Sequence, residues 1–275
     1  MTANTTLSDF LSQYPARTRQ TYERALRTFT TWYQGTFGEP PEWHLITPVE
    51  VRDYMAYLQS VKRMSAASVN LHLAAIRAYL RHNGRTIHVR GPRQTKPPVH
   101  ALSARDLGRL LAAAEGNPRD YAILNLMARA GLRVGEVIAL EVSDLDLRER
   151  SGWVTIRQGK GNKTRKVPLG LEVRKALHAW LSVRPNTQSP LLFISRSGGP
   201  LTARDVQRRV AEYAHRAKLQ NVTPHTLRHT FATRAVENGV DLATLQAILG
   251  HESISTTSRY LHPTEARMAE LVENL

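Results

Sequence analysis

Near the end of the chain, "GHESISTTSRY" (250–260) sets His251 and Tyr260 nine positions apart, with small hydroxyl residues between them and Arg259 just before the tyrosine. A tyrosine hydroxyl is a nucleophile only if a base or a strong positive field removes a proton whose ordinary pKa is about 10. Taken alone, the same ring also reads as packing on a short helix closed by Pro263. In "VTPHTLRHTF", Thr223 is a helix cap and Pro224 a good first residue, which puts His225 and Arg228 three apart at a helix start. Free backbone N–H groups, the helix dipole and an arginine fork suit an anion there, although such a pair alone is a weak signal and far more often structural. His225 and His229 have zinc-like spacing, but Thr226 stands where the metalloprotease pattern needs glutamate. "ARAGLRVGEVIAL" leaves Arg133 in a tight connection, where it reaches a ligand or pairs with Glu136. Lys160, in "QGKGNKTRK", is a hairpin lysine facing solvent or a ligand, with Lys163 and Lys166 as competitors.

Those residues need elements to hold them. In "ARTRQTYERALRTFTTWYQG" (16–35), Tyr22, Leu26, Phe29 and Trp32 or Tyr33 recur at helical spacing and arginines fill the other face. "TPVEVRDYMAYLQS" starts a second helix at a threonine cap with Pro48 first, and "SAASVNLHLAAIRAYLRHNG" a third with Val69, Leu73, Ile76 and Leu80 on one stripe, closed by Gly84. Residues 1–84 therefore read as a helical bundle. Residues 85–100 carry three prolines and four basic side chains without periodicity, which reads as an extended basic linker. From 101 to 275 helices predominate, interrupted by period-two stretches in "GWVTIRQ" and "TRKVPL" and a shorter one at "LDL". The expected fold class is mainly α: a helical N-terminal domain plus a mainly helical second domain with a small antiparallel three-stranded sheet.

Composition narrows the chemistry. A hydrophobic fraction of 41% with 22% charged residues is that of a soluble globular protein, and without cysteine there is no disulfide, thiolate metal site or cysteine nucleophile. The first residues show neither a secretory nor a transit pattern and no run suits a membrane span, so the expectation is a cytoplasmic protein with no membrane partner. The formal net charge of +15 is spread over both parts: residues 1–100 hold 13 lysines and arginines against 6 acidic residues, and residues 101–275 hold 25 against 17. Such an excess attracts polyanions, and nucleic acid is the default partner.

Taken in order, "GLRVGE", the "GKGNK" hairpin, "HTLRH" and "LGHESISTTSRYLH" resemble the tyrosine recombinase (phage integrase) family, especially its small Xer-type members. The likeness spans residues 101–275 as catalytic domain, with residues 1–84 similar to the family's core-binding, DNA-binding domain. It implies a site-specific recombinase that cleaves and rejoins double-stranded DNA through a covalent 3′-phosphotyrosyl intermediate, with topoisomerase-like chemistry. It also implies a tetramer on two DNA sites, built of this chain alone or with a paralogous recombinase, in dimer resolution or mobile-element integration and excision. By position, Tyr260 would be the nucleophile, Arg133 and Arg228 phosphate clamps, Lys160 the general acid, His225 the base and His251 a hydrogen-bond donor. Glu136 would orient Arg133 or a histidine, and neither metal nor cofactor would be needed. Gly135 stands where many relatives have serine, with the expectation of looser packing around Arg133. The alternatives are a DNA-binding protein of the same fold without catalysis, and a metal-dependent nuclease or transposase, for which Asp144 and Asp146 lack a third carboxylate.

Overall fold

A computed structural model describes residues 6–94, 101–157 and 164–250, and divides the chain into two compact units, Met1–Pro97 and Pro98–Leu275. In the first unit, α1 (Leu7–Ser12), α2 (Ala16–Phe37), α3 (Pro48–Ser60) and α4 (Ala66–His82) pack around Leu26, Phe29, Leu58, Leu73, Ile76 and Leu80. Side-chain caps start three of these helices: Thr6 and Thr47 form capping boxes with Asp9 and Glu50, and Ser65 caps α4. The caps satisfy N–H groups that have no partner inside the helix. Arg17, Arg19, Arg24 and Arg27 line the exposed side of α2, as its amphipathic pattern predicts.

Tyr54 and His72 carry the buried polar contact of this core, the hydroxyl lying 2.8 Å from Nδ1. Burial pushes the Tyr54 phenol up and the His72 imidazole down. Residues 85–94 form no helix or strand, but they do not behave as a free tether. Ile87 and Val89 alternate into the bundle core, and the Asn70 amide donates to the Pro92 carbonyl at 2.9 Å. A Cβ on Gly91 would lie 1.8 Å from the Asn70 side chain, so this strip needs glycine to lie flat on α4.

The second unit is built around α6 (Pro118–Arg129), in which every residue from Ala122 to Ala128 is buried, as expected of a helix surrounded by others. Around it lie α5 (Ala104–Ala112), α7 (Val134–Ala139), α8 (Leu171–Val183), α9 (Ala203–Arg216) and α10 (Pro224–Glu237), with α11 (Leu242–Leu249) resting on α10. Strands β1 (Leu145–Leu147), β2 (Gly152–Ile156) and β3 (Arg165–Pro168) form an antiparallel sheet in that order, pairing Leu145 with Val154 and Ile156 with Arg165. Val154, Ile156 and Val167 face the core, while Trp153 and Lys166 face outward. The three-stranded sheet in a helical domain matches the sequence expectation. Helix α1, by contrast, is too short for periodicity to reveal.

Leu227 joins the main core, while Phe231 and Ala235 pack with Leu245 and Leu249 in a separate small cluster between α10 and α11. That cluster presses the end of α11 toward Gly131. A Cβ on Gly131, at φ +70, would stand 2.4 Å from the Phe231 ring, so the turn after α6 requires glycine sterically and conformationally. None of the described helices is long and apolar enough to cross a membrane.

Candidate active site

Arg133 is the residue that opens α7. Its backbone N–H donates to a Glu136 carboxylate oxygen at 2.8 Å, and its Nη1 donates to the other oxygen at 2.8 Å. Arg133 therefore pairs with Glu136, one of the two partners its position in the sequence allows, while a third of its side chain stays exposed. Glu136 thus accepts from both the backbone and the side chain of Arg133. Its side chain is 5% exposed, a cost to a charge that only close cations can offset.

A second cation makes the largest single contribution to that offset. From β3, Arg165 donates Nη1 and Nη2 to the two Glu136 oxygens at 3.0 and 2.9 Å, a fork-on-carboxylate pairing of the strong kind. Burial pushes the Glu136 carboxyl up, but the hydrogen bonds from Arg165 and from the Arg133 backbone outweigh it and hold the group below the ordinary glutamate range. Arg165 carries no motif that marks it in the sequence beside Lys160, Lys163 and Lys166. Strand alternation contained the signal, because Arg165 shares the inward side of β3 with Val167 while Lys166 points outward.

Arg228, on α10, is buried, with its Nη1 3.9 Å from Glu136. It donates to the carbonyls of Gly131 and, at 2.7 Å, Leu249. The Thr223–Thr226 capping box starts α10 as its sequence predicts. His225, three residues before Arg228, is nevertheless exposed where Arg228 is buried, and His229 is half-buried.

All three arginines also reach one helix end. Arg165 Nε donates to the Ile248 carbonyl at 2.9 Å, and Arg133 donates to Leu249 and Gly250, each at 3.1 Å. The last carbonyls of a helix lack intrahelical partners and sit at the negative end of its dipole, so cations bind them well. Gly250 ends α11 at φ +61, and a Cβ there would come 2.9–3.1 Å from the Arg165 guanidinium. Three arginines against one carboxylate leave the cluster at net +2. A site of that charge is suited to a phosphate whose negative charge grows during reaction.

Gly135 does not loosen this arrangement. A Cβ there meets nothing within 4 Å, so serine or glycine leaves the packing around Arg133 unchanged. Asp144 is buried and paired with Arg157, and Asp146 on β1 pairs with Arg148 at 3.1 Å. Among the described residues there is no group of three His, Asp or Glu side chains placed to hold a metal ion. Lys160, Lys163, His251 and Tyr260 lie outside the described residues.

Residues 100–267 match the model of the phage integrase family, and residues 6–85 match that of the phage integrase N-terminal SAM-like domain. The chain is 31% identical to tyrosine recombinase XerD of Oceanobacillus iheyensis over 94% of its own length and 91% of that protein. It is 35% identical to tyrosine recombinase XerC of Escherichia coli O157:H7 over 80% of its own length and 77% of that protein. Among solved structures, a Tn1549 transposon integrase in complex with a circular intermediate DNA superposes with a TM-score of 0.78, covering 98% of this chain and 99% of that one at 20% identity. At that identity the likeness is one of fold.

Proposed function

The chain belongs to the phage integrase family and is a tyrosine recombinase, and from that premise we propose that it recombines double-stranded DNA at specific sites with its residues in the following roles. Tyr260 attacks the scissile phosphorus, forming a bond to the 3′-phosphate as the bond to the 5′-oxygen breaks. The covalent link keeps the phosphodiester energy, so rejoining needs no cofactor. His225 accepts the tyrosine proton, and Lys160 gives one to the departing 5′-oxygen, which would otherwise leave poorly. Rejoining runs the same steps backward.

Arg133 and Arg228 face the negative charge that builds on the non-bridging oxygens, where positioned cations lower the barrier more than they strengthen ground-state binding. Arginine suits this because its planar fork binds two oxygens and stays charged. Glu136 holds the Arg133 fork, and His251 donates a hydrogen bond to the phosphate. The enzyme acts as a tetramer on two DNA sites, with itself or with a paralogue.

The observation that carries this reading is the cluster of Arg133, Arg165 and Arg228 around Glu136, at net +2 beside the residue that precedes His251. The test begins with the DNA recovered with the chain from the cells that make it. A nicked duplex of that sequence should trap a covalent protein–DNA adduct in excess chelator. Adduct formation by Tyr260→Phe would sink the assignment.

A further inference from the structure

We infer that Arg165 is a positioning residue of this site, holding Glu136 and the carbonyl end of α11 so that Arg133 and Arg228 keep their positive charge directed at one phosphate. The inference rests on the recombinase reading and adds a residue to it. Among the described residues, Arg165 is the one side chain that pairs with both Glu136 oxygens, at 3.0 and 2.9 Å, and its third edge takes the Ile248 carbonyl at 2.9 Å. β3 is thereby tied to the end of α11, the helix that leads into His251.

Charge gives the arrangement its consequence. With Arg165 the cluster is three cations on one carboxylate, net +2; without it the balance is +1. A buried carboxylate must find partners, and with Arg165 gone those left are Arg133, already at 2.8 Å, and Arg228, at 3.9 Å. Arg228 would then be drawn onto Glu136, to which Arg133 already donates. Gly250 is part of the same device: its φ of +61 favours glycine, and a Cβ there would crowd the guanidinium at 2.9–3.1 Å. Lysine cannot replace the fork, since one ammonium does not span two carboxylate oxygens and a carbonyl on a third edge.

The test compares Arg165→Gln and Arg165→Lys with the wild-type full chain in single-turnover cleavage of the recovered duplex. Arg165→Gln should lower the cleavage rate at saturating DNA about 10- to 100-fold, as loss of a supporting partner does, with DNA affinity changed no more than about threefold. Arg165→Lys should recover part of the rate. A methylphosphonate at the cleavage position removes one negative charge, so there the gap between wild type and Arg165→Gln should shrink to about threefold or less. A purely architectural role would depress both substrates alike, and that result, or a loss confined to affinity, overturns the inference. A second readout needs no DNA: the Glu136 carboxyl, followed by carbon NMR and faced by Arg133, Arg165 and Arg228, should titrate higher in both variants than in wild type. An unmoved titration also overturns it. If wild type forms no adduct, the recombinase reading fails, and the Glu136 titration still decides whether Arg165 holds the carboxylate.

Discussion

Glu136 shows how much one side chain organises. Its carboxyl is held below the ordinary range, so the unfolded chain takes up a proton there at a higher pH than the folded chain does. Stability from this group is therefore present above the unfolded value, about 4.3, and is lost as pH falls through the lower folded value. Denaturant unfolding between about pH 3 and 6 should show stability rising with pH in wild type, and a shallower rise in Glu136→Gln. The same variant leaves three arginines crowded without their counter-charge, and its melting temperature at neutral pH should fall. In the N-terminal unit, Tyr54→Phe strips the buried His72 ring of its hydroxyl partner. Stranding a buried polar group costs about 1–3 kcal/mol, measurable by chemical unfolding of the full chain.

At the scale of elements, glycines decide how closely α6, α10 and α11 approach. Gly131→Ala forces a Cβ into the Phe231 ring at a positive φ, whereas Gly135→Ala, two residues into the next helix, meets open space. Thermal melts should place Gly131→Ala well below wild type, because left-handed backbone alone costs a residue with a Cβ about 1–2 kcal/mol. Gly135→Ala should match or slightly exceed wild type, since alanine favours a helix interior by about 0.5–1 kcal/mol over glycine. These outcomes separate the glycine that the packing needs from the one that only looks unusual in sequence. The caps belong to the same scale: Thr47 and Thr223 are readable as helix starts because a cap uses residues no more than three apart, whereas the Ser65 cap emerges only in the structure.

For the whole molecule, the excess of basic residues in both parts of the chain sets the expected response to salt. Each phosphate neutralised releases a counterion, so affinity for duplex DNA should fall steeply, by about a thousandfold between about 50 and 200 mM salt if some six phosphates are contacted. A filter-binding or fluorescence titration across that range checks it, and a flat response would mean that the charge serves solubility and not DNA.

The longer helices of the N-terminal unit, the threonine caps of α3 and α10, the alternation of β2 and β3 and the order of Arg133, His225, Arg228 and Tyr260 follow from neighbours in sequence and are legible there. The Arg133–Glu136 pair was legible for the same reason, since the two stand three residues apart on one helix start. The company these residues keep comes from packing between distant segments. Arg165 reaches Glu136 across 29 positions and Ile248 across 83, and Arg133 reaches Leu249 across 116. The burial of Arg228 beside an exposed His225, and the packing of Ile87 and Val89 against the bundle, were settled in the same way. No local preference couples residues that far apart. Their meeting depends on how α6, α10, α11 and the sheet pack, and on a buried carboxylate that is stable only where those elements bring it cations.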